Sequence, residues 1–391
     1  MSKDDIIMDR LRAARLIAWT AAALLSVWLP LNSRAAEVGV DTGQITIGQS
    51  AALSGPAQEL GSEMRLGAQA YFSLINQAGG VFGRQIKLVS LDDGYEPDRA
   101  VANTKKLINE DKVFALFGYV GTPTSNAVLP IFTEAKVPFF GAFTGAESLR
   151  NPLNRYIFNV RASYFEETEK IVEQLTNLGV KNIAVLYQDD AYGKAGLAGM
   201  ERAMAKRNMK IAALGTVERN TVKVDAAVNA LVPKLPDVIV MISAYKSIAA
   251  FVRAAKKAGY VGQFHNVSFV GSRALADELG AEGYGVAISQ VMPFPFTQNS
   301  PLVREYLVAL KASGSAPPSY TSLEGFVAAK VFVEGLKRTG KDPTREKFIT
   351  ALETLNFFDA GGFIVNFSPK SHNGSSFVEL TMIGRNKAFV R

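Results

Sequence analysis

The run Val238-Ile239-Val240-Met241-Ile242 is apolar at every position. A strand with one wet face alternates apolar and polar residues. A strand apolar throughout is covered on both faces, the usual condition of a parallel sheet between helices. From Gln44 onward similar short runs recur at 45–48, 85–91, 114–117, 137–140, 182–187, 210–214, 237–242, 264–270 and 286–291. Amphipathic stretches separate them. In one, Met64, Ala68, Tyr71, Leu74, Ile75 and Ala78 share a helical stripe that Gly79-Gly80 terminates. This β-α-β alternation predicts an α/β protein with doubly wound parallel sheets.

Two such sets are visible, at about 44–160 and 163–291. After Pro293 and Pro295 helical patterns run from 301 to 355, followed by a β-like tail over 362–390. The first set is small for a complete αβα sandwich, so the later helices are expected to return and cover it. The expected division is 44–161 plus 293–370 for one lobe and 162–292 plus 371–391 for the other. Several chain crossings between lobes make a hinge rather than a string of beads.

Other features narrow the chemistry. The chain has no cysteine, which removes disulfides, thiolate metal sites and thiol nucleophiles together. Its two histidines, His265 and His372, are too few for a His-rich metal site and argue against a His-dependent triad. No cofactor or metal is expected. The net charge of +7 comes without a basic run interleaved with aromatics, so no nucleic-acid partner is expected. Arg10, Arg12 and Arg15 precede an apolar stretch at 16–31, and Ser33-Arg34-Ala35-Ala36 offers small residues at cleavage spacing. That pattern predicts an export leader over residues 1–35, cleaved on secretion. The stretch is short for a membrane-spanning helix.

In open parallel sheets, ligands lie beyond the carboxyl ends of the strands, where helix N-termini present free N–H groups. The loops there hold Leu53-Ser54-Gly55-Pro56, Gly118-Tyr119-Val120-Gly121-Thr122-Pro123 and Ala142-Phe143-Thr144-Gly145-Ala146-Glu147. The second set offers Asp189-Asp190-Ala191-Tyr192-Gly193, Ala244-Tyr245 and Gly271-Ser272-Arg273. They are rich in hydroxyls, glycines and rings and poor in paired acids and bases, which suits binding of a small anion or zwitterion. Thr122 can cap a helix opened by Pro123, and Thr144 with Glu147 has capping-box spacing. Capping and anion binding are compatible roles. Tyr192 and Tyr245 could equally be core aromatics.

Three further signals lead elsewhere. Gly335 to Lys341 resembles a phosphate-binding loop, but Asp342 stands where Ser or Thr is required and a helix precedes it. Asp92-Asp93 and Asp189-Asp190 are adjacent acids in turn segments, where capping of loops is expected. No nucleophile–base constellation emerges, so an enzyme is not expected.

Ile45–Gly48, Leu53-Ser54-Gly55-Pro56, Gly61, Gly67, Ile75-Asn76-Gln77-Ala78-Gly79-Gly80-Val81, Gly83, Asp92-Asp93 and Tyr192-Gly193 follow one another in an order that resembles the leucine/isoleucine/valine-binding proteins of bacterial ABC transporters. The resemblance spans nearly the whole chain after the leader. It implies two αβα lobes joined by a three-crossover hinge, the type I periplasmic-binding-protein fold. It also implies a monomeric periplasmic receptor that closes on a small carboxylate ligand and hands it to a membrane permease. The alternative within the same fold is a periplasmic sensor. Residues matching the family's ligand site are Thr122 and the loop Ala142, Phe143 and Thr144, with Tyr192, Tyr245 and Phe326 as rings; Ser54 and Tyr119 flank the same loops. Two positions depart from the pattern. Leu60 stands where the family has a tyrosine, and Arg273 or Ser272 falls where the family has the acid that receives an ammonium. Glu324 is another acid that could serve. An arginine beside an unpaired ammonium would be costly, so the expected ligand is an amino acid derivative or an aromatic or dicarboxylic acid.

Overall fold

The computed structural model describes residues 37–391 except Ser315. The expected leader lies outside the described residues. Among the described residues no helix is long and apolar enough to cross a membrane.

The first lobe begins β1 (Gln44–Ala51), α1 (Gln58–Gln77), β2 (Gln85–Asp92), α2 (Pro97–Asn109), β3 (Ala115–Phe117), α3 (Thr122–Glu134), β4 (Phe139–Phe140) and β5 (Ile157–Phe158). Its sheet has the order β2-β1-β3-β4-β5 and is parallel throughout, with Gln44 paired to Gln85 and Leu116 to Phe139. The second lobe runs α4 (Tyr164–Asn177), β6 (Ile183–Gln188), α5 (Ala191–Ala205), β7 (Leu214–Val217), α6 (Asp225–Leu231), β8 (Val238–Ile242), α7 (Tyr245–Lys257), β9 (Gln263–Asn266), α8 (Ser272–Leu279) and β10 (Ala287–Gln290). Its parallel strands stand in the order β7-β6-β8-β9-β10, the same winding a second time. In each lobe the winding direction reverses beside the first strand, between β1 and β3 and between β6 and β8. Open sheets bind ligands at that crevice.

The chain then returns. Helices α9 (Pro301–Ala312), α10 (Tyr320–Arg338) and α11 (Arg345–Glu353) join the first lobe, with α10 laid along α1. The two backbones nearly touch. A Cβ at Gly67 would lie 1.7 Å from the Ser322 carbonyl oxygen, and one at Gly325 would lie 2.1 Å from that of Met64. Only glycine permits this approach, and it brings Phe332 of α10 to ring-centroid distances of 5.7 and 5.4 Å from Phe117 and Phe140 of the sheet. A short ladder of β11 (Phe358–Asp359) and β12 (Ile364–Val365) follows. Then β13 (Glu379–Ile383) and β14 (Phe389–Val390) extend the second sheet as antiparallel edge strands beside β10. The chain thus crosses between sheets three times.

Local departures from expectation have plain causes. Two-residue β5 is too short to show a period. The edge strand β7 begins at Leu214 rather than 210, and Ile211 and Ala213 instead pack partly buried on the core before it. Strand β9 ends at Asn266, and residues Ser268–Val270 form a single tight helical turn.

Candidate functional site

The crevices of the two lobes face each other, and the loops after β3, β4 and β5 meet those after β6 and β9. Helix α3 opens after Gly121, whose φ of +99° places it at the cap position, and no side chain caps the helix. Thr122 is therefore inside the first turn and does not cap, contrary to expectation. Its hydroxyl lies 2.7 Å from that of Thr144. Thr144 in turn donates to the Tyr164 hydroxyl at 3.3 Å and accepts the Ala146 N–H. The expected capping box at Thr144 does not form, because the turn at Glu147–Leu149 starts from Ala146 without a side-chain cap. Both threonine hydroxyls are thereby placed in the interior.

Against them stand rings from both lobes. Tyr192 at the start of α5 lies 4.5 Å from Phe269 and 5.4 Å from Tyr164. Phe143 lies 5.1 Å from Phe269. Tyr95, held at φ +65°, crosses from the loop after β2 to accept a hydrogen bond from Gln188 at 3.2 Å. A Cβ at Gly121 would sit 2.1 Å from the Tyr95 ring, so that ring rests directly on the start of α3. All five rings are essentially fully buried.

The centre of the set is Arg161, which follows β5 and has a side chain only 1% exposed. Its guanidinium bridges the lobes, with Glu167 of α4 at 2.9 Å and Glu324 of α10 at 3.4 Å. It also donates to the Ser268 hydroxyl and sits 5.1 Å from the centroid of the Phe143 ring. Burial opposes its charge, but Glu324 and Glu167 outweigh that and hold it above its ordinary range. Burial pushes the Glu324 carboxyl up to about 7 against the pull of Arg161. Below this pair lies Arg150, whose charge is held by the carbonyls of Ala146, Arg161 and Ala162. Burial brings it down to about 10.

Of the expected site residues, Thr122, Phe143, Thr144 and Tyr192 come together here, and Ala142 shapes the loop by accepting the Thr144 N–H. Others lie elsewhere. Ser54 is exposed and bonded to Asp92 at 2.6 Å. Tyr119 faces the opposite side of its sheet, 2.8 Å from Thr104 and with its ring tilted against Phe139 at 5.0 Å, because successive residues point to opposite faces. Phe326 is wedged between Tyr71 and Tyr306 under α1. Tyr245 and Arg273 line a separate recess with Glu59, Glu63 and Lys246. There Arg273 contacts Asp277 and the Pro318 carbonyl, and its side chain is 32% exposed. The buried arginine of the cleft is Arg161, not Arg273. Its signal was a charged residue just after Ile157-Phe158-Asn159-Val160, a run interrupted by a polar residue, beyond the carboxyl end of a strand too short to notice.

Adjacent acids hold loops. Asp92 accepts the N–H groups of Leu53, Ser54 and Gly94, and Asp190 caps α5. Among the described residues no group of three or more His, Asp or Glu side chains is placed to hold a metal.

Residues 44–387 match the family described as periplasmic binding protein. A possible leucine/isoleucine/valine-binding protein from Rhodopirellula baltica is similar in structure, with a TM-score of 0.86 and 36% identity over 90% of this chain and 97% of that one. A substrate-binding periplasmic protein from Ralstonia solanacearum gives 0.84 and 34%, over 88% and 99%. The Leu/Ile/Val-binding protein homolog 7 of Brucella melitensis is 28% identical over 92% of this chain and 91% of its own.

Proposed function

The chain belongs to the periplasmic binding protein family, and from that membership we propose that it is the receptor of an ABC importer, closing two lobes on a small carboxylate-bearing solute for delivery to a membrane permease. As a family member it is a periplasmic solute-binding protein and not an enzyme. The observation that carries the ligand reading is Arg161, buried between lobes among five rings and two threonine hydroxyls. A buried cation beside hydroxyl donors and apolar walls is suited to a carboxylate on an apolar or aromatic body. The names of the relatives favour an amino acid or a close derivative, and the arginine favours an organic acid. The protein is read as a monomer that works without a cofactor, exported by removal of residues 1–35.

The test combines solution scattering with thermal shift across a panel of amino acids and carboxylic acids. A solute that binds should compact the particle and raise Tm by mass action. No compaction with any carboxylate at saturation would refute the reading. The importer role is tested by reconstituting a permease from the same genome, whose ATP hydrolysis should rise only with the solute-loaded protein.

A further inference from the structure

At the end of the second sheet opposite the cleft, four helices hand the chain back to adjacent strands: α5 to β7, α4 to β6, α6 to β8 and α7 to β9. Hydrogen bonds join these four connections into one surface. The Ala212 N–H reaches the Ile183 carbonyl at 2.8 Å, and the Gln263 N–H reaches the Asp237 carbonyl at 2.9 Å. Between them the Asn182 side chain donates to the Leu235 carbonyl at 3.0 Å.

From the last turn of each helix to the start of its strand, these connections carry eight bases and one acid. The acid, Asp237, is turned to the backbone, where it accepts the N–H groups of Lys181 and Asn182. Lys206 and Arg207 share Glu169. Lys181, Lys210, Lys234 and Lys257 are exposed, and among the described residues none has a carboxylate within ion-pair distance. The acids of the fifth connection, Asp277, Glu278 and Glu282, lie before the far strand β10 and are paired with Lys387 and Arg253. Cations at helix C-termini complement the macrodipole, which suffices to place some of them. The first lobe shows what that effect alone yields. Its connections into β2, β3 and β4 end three helices in the same way, and they carry Arg84, Lys106, Lys112 and Lys136 against three acids. Helix ends thus explain near balance, not eight bases to one acid.

The same surface exposes three large apolar side chains, one in each connection into the neighbouring strands β6, β8 and β9. Leu178 is 66% exposed, Leu235 78% and Val261 98%. Single exposed apolar residues are ordinary, but three on neighbouring strands among unpaired lysines form a patch. We propose that this pole of the second lobe docks on an anionic phospholipid membrane, its lysines meeting lipid phosphates while Leu178, Leu235 and Val261 enter the interface. A second copy of the chain would set the unpaired lysines against one another across a two-fold axis, so the charge disfavours that occupant. The pole lies at the far end of the strands from the cleft. A protein held this way keeps its cleft open to solution, and the docking does not depend on which solute it binds.

The experiment is vesicle sedimentation of residues 37–391, a compact unit by themselves. Phosphatidylcholine vesicles are compared with vesicles of phosphatidylethanolamine and phosphatidylglycerol. Binding is expected to the anionic vesicles alone, and it should weaken as salt is raised. A lysine at such a surface contributes about fivefold, so Lys181→Gln, Lys234→Gln and Lys257→Gln together should lower partitioning about a hundredfold. Leu235→Ser with Val261→Ser should lower it about tenfold or more. Every changed side chain is exposed, so urea midpoints should match the parent's. Lys112→Gln with Lys136→Gln, in the first lobe, should leave partitioning within about twofold of the parent. Binding no stronger than to phosphatidylcholine, or binding that survives the three lysine changes, would overturn the proposal. Loss with the lysine changes but not with those at Leu235 and Val261 would overturn it in favour of a soluble acidic partner.

Discussion

Replacing Arg219 by alanine should loosen the closed form while leaving the contacts of Arg161 with Glu167 and Glu324 in place. Arg219 follows β7 in the second lobe and reaches Glu96 of the first lobe at 2.8 Å, with its guanidinium 5.8 Å from the Tyr95 ring centroid. Beside it, Asn220 donates to Glu96 at 2.7 Å and to the Gly94 carbonyl at 3.0 Å. Glu96 holds the cap position of α2, yet its side chain makes no cap hydrogen bond and is turned across the cleft instead. The second carboxylate partner of Arg219, Asp190 at 3.2 Å, belongs to its own lobe and survives opening. Only the Glu96 pair and the Tyr95 contact are therefore lost.

Glu96 is 43% exposed and Arg219 22%, so the pair is discounted to about 0.5–1 kcal/mol, and the ring contact adds about as much. Together, about 1–2 kcal/mol corresponds to a fall of roughly 5- to 30-fold in the closed-to-open ratio. Because the chain has no cysteine, labels at Lys105→Cys and Lys257→Cys, exposed on α2 and α7, can report lobe separation by energy transfer. Across a titration with a solute that the thermal-shift panel shows to bind, Arg219→Ala should shift the midpoint of closure by that factor, mainly through faster release. Raising salt should weaken the parent more than the variant. In a double-mutant cycle with Glu96→Ala the two changes should be less than additive. Full additivity, or a midpoint and release rate within about twofold of the parent, would refute the clasp.

Three other outcomes are expected. Gly67→Ala places a Cβ 1.7 Å from the Ser322 carbonyl, so α1 and α10 must separate; urea unfolding should show a loss of about 2 kcal/mol or more. Both tryptophans, Trp19 and Trp28, lie within the expected leader. The exported protein should emit as a tyrosine protein, and tryptophan emission would show the leader retained. Burial raises the carboxyls of Glu324 and Glu63 from 4.5 to about 7, so the folded state binds more protons than the unfolded chain between those values. Their contribution to stability is greatest below about pH 4.5 and falls as pH rises toward 7. Glu324→Gln should flatten that slope in urea midpoints measured from acid to neutral pH; a variant as steep as the parent would contradict it.

The alternation of wholly apolar runs with amphipathic stretches was enough to read two parallel sheets and the return of the C-terminal helices. Burial on both faces leaves a mark on every residue of such a strand, and helix periodicity is equally local. The loops after the strands were legible for the same reason, and Thr122, Phe143, Thr144 and Tyr192 could be picked from them. Short edge and hinge elements were not legible. Strand β5 has two residues, and the register of β7 depended on which apolar residues found a neighbour to pack on.

The assignment of the cleft's charge was settled only by tertiary structure. Arg161 and Arg273 are alike in sequence terms, each a basic residue shortly after a stretch rich in apolar residues. What separates them is which carboxylates and hydroxyls the folded chain brings near. Arg161 meets Ser268 from 107 residues away and Glu324 from 163, while Arg273 is left at a half-exposed rim. Sequence periodicity records which face of an element is buried. It does not record which distant groups share that burial, and it is this sharing that decides whether a buried charge is paired or left with a donor to offer.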